Sequence, residues 1–144
     1  MRIEDLSLKK NLDLVTANPD SSVLDAVALL NRHNIGALPV CNASGALVGI
    51  ISERDIVRGL PASRIDLDNL KVSDLMTSDV ITCSPEDDVN EIMAIMDERH
   101  IRHIPVLEGG RLSTIVSSRD VMSTVLEEAM SRAKTMSLAY ETVR

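Results

Sequence analysis

Ile35-Gly36-Ala37-Leu38-Pro39-Val40 returns 66 residues later as Ile101-Arg102-His103-Ile104-Pro105-Val106, and this recurrence decides how the chain is read. Upstream, Val15-Thr16-Ala17-Asn18-Pro19 returns at the same offset as Ile81-Thr82-Cys83-Ser84-Pro85. Downstream, Leu47-Val48-Gly49-Ile50-Ile51-Ser52-Glu53-Arg54-Asp55 returns as Leu112-Ser113-Thr114-Ile115-Val116-Ser117-Ser118-Arg119-Asp120, now 65 residues on. One residue has been lost from the loop between Val106 and Gly110. Such a period marks two copies of one structural unit that pack on each other. The copies occupy 3–58 and 72–125. Residues 59–71, with Gly59, Pro61 and several Asp, read as the linker, and 126–144 as a C-terminal helical tail. A cleft between two such copies should come as a pair.

Each copy reads as strand, helix, strand, strand, helix, an α/β (α+β) pattern with pseudo-twofold symmetry. Leu14 to Ala17 is a short apolar run ending at Asn18-Pro19, a strand followed by a turn. Ser22 is an N-cap residue with Asp25 three positions on, close to a capping box. Val23, Ala26, Val27 and Leu30 then make one helical stripe, and Gly36 stands where that helix should stop. Asn42-Ala43-Ser44-Gly45 separates two apolar runs, 37–40 and 47–51, as a hairpin turn does. In the second copy Val89, Ile92, Met93 and Met96 form the stripe. Runs 104–107 and 112–116 form the hairpin around Glu108-Gly109-Gly110. A last helix opens near Ser117 and runs to about Thr142. Ile3-Glu4-Asp5-Leu6 and Val72-Ser73-Asp74-Leu75 lead into the copies.

With 144 residues the chain can bury a real core without staples. That core must be aliphatic, since there is no Phe, no Trp and one Tyr, Tyr140. The formal net charge of -7 argues against a nucleic-acid footprint, which needs a basic face. A small anionic ligand needs only two or three local cations and stays open. Met1-Arg2-Ile3-Glu4-Asp5-Leu6 lacks the apolar run of a signal peptide, and no stretch approaches a membrane span of roughly 20 residues. The expectation is a cytoplasmic protein with no membrane contact. Cys41 and Cys83 occupy non-equivalent positions and form no CxxC pair, so both read as free thiols.

Ser52-Glu53-Arg54-Asp55 and Ser117-Ser118-Arg119-Asp120 each lie where a strand runs into a helix. An N-cap Ser with an acid three residues on is a complete account of a helix start. The same geometry also suits a nucleotide. The helix N-terminus offers free N–H groups to phosphate, and the carboxylate can accept from a ribose diol. Residue types alone leave both readings open. Arg102 and His103 are two adjacent polar residues at the start of an otherwise apolar strand, where neighbours point to opposite sides. His33 and His100 sit near helix ends and read as surface residues. No nucleophile with its base, no zinc spacing and no phosphate-binding glycine loop is present, so neither an enzyme nor a metal site is expected.

These residues together resemble a tandem pair of CBS domains, a Bateman module, over roughly residues 3–125. The pieces are Thr16-x-x-Pro19 with Thr82-x-x-Pro85, the two Pro-Val hairpin strands, Leu47-Val-Gly-Ile-Ile with Leu112-Ser-Thr-Ile-Val, and the two Ser-x-Arg-Asp helix starts. The resemblance implies two β-α-β-β-α repeats packed through their sheets, with two clefts that bind adenosine nucleotides: AMP, ADP, ATP, or else NAD or S-adenosylmethionine. It implies a ligand-sensing regulatory module that needs no cofactor. Carried over, Asp55 holds the ribose in one cleft and Asp120 in the other, with Ser52 and Ser117 near ribose or phosphate. Thr16 and Thr82 fall where the adenine pocket is lined. Arg102 and His103 fall opposite the nucleotide held by Asp55, joined by Arg119. The clefts are unequal in this reading, because Gly36-Ala37 stands where Arg102-His103 stands and Gly49 where Thr114 stands. The resemblance also implies a homodimer acting on an unknown protein target. The alternative reading is a ligand-free structural or protein-interaction dimer whose Met-rich tail docks a partner.

Overall fold

The computed structural model describes residues 1–8, 14–63 and 68–143. It contains two similar α+β units. In the first, α1 (Val23–His33) leads to β1 (Ala37–Cys41), β2 (Leu47–Ser52) and α2 (Glu53–Ser63). A short α3 (Val72–Leu75) follows. In the second, α4 (Val89–Arg99) leads to β3 (His103–Glu108), β4 (Arg111–Ser117) and the long α5 (Ser118–Val143).

Local chemistry sets the element ends. Ser22 Oγ accepts the Asp25 N–H at 3.0 Å and caps α1. The turn after β1 is organised by Asn42, whose Oδ1 accepts from Ser44 N–H, Ser44 Oγ and Ala46 N–H. Gly45 sits there at φ 84°. In the second hairpin Glu108 pairs with Arg111 across Gly109 and Gly110, both at positive φ, the backbone of a two-residue primed turn. Both hairpins are antiparallel. The helix stop expected at Gly36 is corrected. Asn34 and His100, at φ 51° and 55°, end α1 and α4 in the left-handed conformation. The run 14–17 forms no full strand either. Only Ala17 bridges Val40 in parallel, as Cys83 bridges Val106 in the second unit. The expected linker is shorter at its start, since α2 continues through Gly59 to Ser63. A Cβ at Gly59 would lie 2.3 Å from Leu75 Cδ2, so glycine lets α2 and α3 approach closely. The part of the linker at 64–67 lies outside the described residues.

Two aliphatic cores result. One gathers Val23, Ala26, Leu30, Leu38, Val40, Ile51 and Ile56; the other gathers Val89, Ile92, Met96, Ile104, Val106, Val116 and Val121. The lead-in segments are exchanged between them. Ile3 and Leu6 belong to the second core, and Val72 belongs to the first. The backbone follows the same exchange. Ile3 N–H donates to Asp87 C=O at 3.0 Å and Glu4 N–H to Pro85 C=O at 2.9 Å. Symmetrically, Val72 N–H donates to Ser21 C=O at 2.8 Å and Ser73 N–H to Pro19 C=O at 3.0 Å. Each unit is therefore completed by the strap that precedes the other, which ties the two into one body.

Candidate functional site

A cavity of about 940 Å³ opens between the two units, within the range of small-molecule sites. One wall is the first unit: Val27, Leu30 and Asn31 of α1, Ile35-Gly36-Ala37, and Glu53, Ile56 and Val57 of α2. The other is the second unit: Arg102, His103, Thr114, Ile115 and the whole run Ser117-Ser118-Arg119-Asp120. The sequence folds this way because β4 ends at Ser117 and α5 begins one residue later, which presents the start of α5 to the cleft.

Asp120 closes a capping box. Its Oδ2 accepts from Ser117 N–H at 2.9 Å and from Ser117 Oγ at 2.8 Å, and its own N–H donates to Ser117 Oγ at 3.1 Å. Among the described residues its Oδ1 accepts no hydrogen bond, so one carboxylate oxygen remains to serve a ligand. Asp55 makes the same box, accepting from Ser52 N–H at 2.9 Å and Ser52 Oγ at 3.0 Å. Its second oxygen, however, accepts from Thr77 Oγ1 at 3.3 Å.

Thr77 reaches Asp55 because the segment before it covers β2. Thr77 and Ile50 exchange backbone hydrogen bonds of 2.8 and 3.0 Å. A Cβ on Gly49 would stand 2.6 Å from Met76 Sδ, so only glycine admits this cover. The equivalent residue in the second unit, Thr114, is buried and lines the open cavity.

His103 lies half-buried where β3 starts. A Cβ on Gly36 would come within 3.1 Å of its ring Cε1, so the bare glycine makes room for the imidazole across the unit boundary. Burial pushes the His103 pKa down, the Asp120 and Glu53 carboxylates pull it back up, and Arg102 lowers it further. Burial dominates, and the ring is neutral at neutral pH. Arg102 and Arg119 are exposed at the rim. The wall thus offers an oxygen acceptor, two guanidinium forks, a neutral imidazole and an apolar floor.

Of the residues singled out from sequence, Arg102, His103, Ser117, Arg119 and Asp120 line this one cavity. Arg102 and His103 both line the cavity of Asp120, from their own unit, and Arg102 also lines a smaller cavity with Arg54 and Arg58 of α2. Asp55 and Ser52 line neither this cavity nor the two smaller ones. Thr16 lies in a separate 410 Å³ pocket with Asn18, Asp25 and Asn42. Thr82 is exposed and lines none of the three. Sequence reasoning missed Asn31, His33 and Glu53. The signal for Glu53 was its place beside Ser52, where an acid follows a cap. Among the described residues no cluster of His, Cys, Asp and Glu could hold a metal ion. No helix among them is long and apolar enough to cross a membrane.

Two repeats with this exchange of straps and a cavity between them define a paired-repeat module. The CBS domain family matches residues 3–62 and 72–127, and the chain belongs to that family. It is 39% identical over 113 residues to the mitochondrial CBS domain-containing protein CBSX3 of Arabidopsis thaliana, covering 76% of this chain and 55% of that protein. The chain therefore spans about half the length of that relative. Its structure resembles the CBS-domain protein ATU1752 of Agrobacterium tumefaciens, with a TM-score of 0.79, 34% identity, and coverage of 86% of this chain and 98% of that one. It also resembles the CBS domain pair of protein MJ0100 in complex with 5'-methylthioadenosine and S-adenosyl-L-methionine. There the TM-score is 0.78 and the identity 29%, with coverage of 89% and 98%.

Proposed function

We propose that this chain is a regulatory, non-catalytic module that senses an adenosine nucleotide bound in the Asp120 cavity. The observation that carries the reading is Asp120 Oδ1, which accepts no hydrogen bond among the described residues, at the start of α5 inside a cavity of about 940 Å³ that both repeats line. Asp120 accepts from the ribose diol. Ser117 and the first N–H groups of α5 face the phosphate, with Arg102 and Arg119 supplying charge. The neutral His103 completes the polar wall, and Val27, Leu30, Ile35 and Ile56 take the base. The adenosine-bound MJ0100 pair supports this choice of ligand class. Binding bridges the two repeats, so occupancy alters how they sit together, and a cytoplasmic protein target reads the change. Ser52, Asp55, Thr16 and Thr82 have no part in this site.

The regulatory unit is a homodimer. Beyond the body, α5 exposes Met122, Leu126, Ala129, Ala133, Met136 and Tyr140 at 4-3-4-3-4 spacing, the seam of a two-stranded coiled coil. Small Ala129 and Ala133 at its centre suit close approach of an identical helix. The deciding experiment is titration of ligand-free protein with AMP, ADP, ATP, NAD and S-adenosylmethionine. At a hundredfold excess over the dissociation constant the binding ligand should add about 2.7 kcal/mol of stability. Absence of heat and of a melting shift for the whole panel would leave the ligand-free interaction dimer as the correct reading.

A further inference from the structure

From Val125 to Glu141 every residue of α5 is exposed, so the helix leaves the body as a bare rod. A lone helix of this length is marginal in water, and an apolar stripe along it calls for cover. The stripe from Met122 to Tyr140 runs on past residue 127, where the match to the family ends. Its side chains run large, large, small, small, large, large: Met122, Leu126, Ala129, Ala133, Met136, Tyr140. Spacing and size read the same from either end, with Ser131 at the centre. An identical helix can therefore fill the seam in either direction, with Ala129 and Ala133 at the waist.

Charge decides the direction. Glu127 and Glu128 form an acidic block before the centre, and Arg132 and Lys134 a basic block after it. Parallel helices would set like blocks side by side, all the carboxylates in one ring and all the cations in the next. Antiparallel helices crossing at Ser131 set each acidic block against the basic block of the other chain. In the heptad that the seam defines, Glu127 then stands level with Lys134 on one flank and Glu128 with Arg132 on the other. The two Arg132 side chains meet across that second flank. Each is also paired with its own Glu128 at 3.9 Å, so the charges alternate there. Opposed helix dipoles add to the same preference.

We propose that two copies of the chain pair through α5 as an antiparallel coiled coil centred on Ser131. This rests on the homodimer reading and gives it a direction and a register. It sets the two bodies at opposite ends of the paired helices. Tyr140 of each chain then lies level with Met122 of the other, two residues beyond Asp120 and its capping box. Each tail therefore ends against the turn of helix that borders the other chain's large cavity.

The test uses the full chain, which should show a dimer mass in light scattering at micromolar concentration. A spin label is placed at Glu141→Cys, with Cys41→Ala and Cys83→Ala removing the native thiols. Glu141 lies level with Val121 of the other chain, so the two labels should stand at least about 30 Å apart, at 1.5 Å per residue. Parallel helices would bring them within about 20 Å, the helix spacing plus the label arms. A second measurement needs no cysteine. A chain with Glu127→Lys, Glu128→Lys, Arg132→Glu and Lys134→Glu should dimerise with itself. At low salt it should form mixed dimers with the unaltered chain about tenfold less readily than chance, the scale of several exposed ion pairs. A short label distance, or mixing that is random or preferred, overturns the antiparallel pairing and leaves the homodimer standing. A dimer that persists in Leu126→Glu puts the contact elsewhere and overturns it too. A monomeric unaltered chain refutes the homodimer reading along with it.

Discussion

Asp120→Ala and Asp55→Ala form a matched pair, and the difference between them isolates ligand binding from helix capping. Each carboxylate accepts from its Ser N–H at 2.9 Å, and from its Ser Oγ at 2.8 Å for Asp120 and 3.0 Å for Asp55. Losing either box should cost about 1 kcal/mol, roughly 4 °C in melting temperature for a domain of this size. Asp55→Ala also frees Thr77, but that bond is long, at 3.3 Å, and exposed. The two variants should therefore melt within a degree or two of each other. Their affinities should part. Among the described residues, Asp120→Ala removes a carboxylate oxygen that accepts no hydrogen bond, whereas the second oxygen of Asp55 accepts from Thr77. A hydrogen bond to a charged group is worth about 1.5–3 kcal/mol, and every 1.4 kcal/mol is tenfold. AMP and adenosine should both weaken by one to two powers of ten, because the ribose is common to them. Asp55→Ala should change neither by more than about twofold. Calorimetry with AMP, alongside melting curves in the absence of ligand, reads both quantities. Equal losses of affinity in the two variants, or a loss confined to Asp55→Ala, would refute the assignment of the nucleotide to the Asp120 cavity.

The exchanged straps make a crossed prediction. Ile3→Ala should cost about 2–4 kcal/mol and lower hydrogen-exchange protection first in the second unit, around β3 and β4, while Val72→Ala should do so in the first; protection lost in the covalently adjacent unit would contradict the exchange. Leu126→Glu, in the exposed seam of α5, should convert a dimer to a monomer in light scattering, and a monomeric unaltered protein at micromolar concentration would dismiss the seam. His103 is held neutral by burial, so the unfolded chain binds its proton more readily. Stability should rise with pH through the window just below the ordinary histidine value of about 6.5, and a His103→Gln variant should lack that part of the slope. Cys83 works at the other end of the scale. Burial, helped by Asp87, raises its thiol to about 12, so folding keeps a proton that the unfolded thiol releases near 9. Its stabilisation is present below pH 9 and should be lost progressively from there toward 12, a decline that a Cys83→Ala variant should not show.

What could be read from the sequence was local. Ser22, Asn42, Gly45 and the Gly109-Gly110 turn act within four residues of themselves, so their chemistry shows in the order of residue types. The stripes of α1 and α4 needed only a period. The straps were illegible because Ile3 and Val72 offer the same apolar side chain to either core. Nothing along the chain says that the backbone crosses before packing. The inequality of the clefts was visible, but its direction was not, and the reason lies in two glycines of the first repeat. Gly36 leaves the space that the His103 ring fills, and His103 lines the cavity holding Asp120. Gly49 leaves the space that Met76 fills, which carries Thr77 onto Asp55. Their counterparts, Arg102 and Thr114, bear side chains that line the open cavity instead. A missing side chain is thus the determinant at both places, and its consequence depends on a residue far along the chain that enters the vacancy. Restoring a Cβ should act accordingly: Gly49→Ala must displace Met76, and the backbone of Thr77 within 3.0 Å leaves little room to yield.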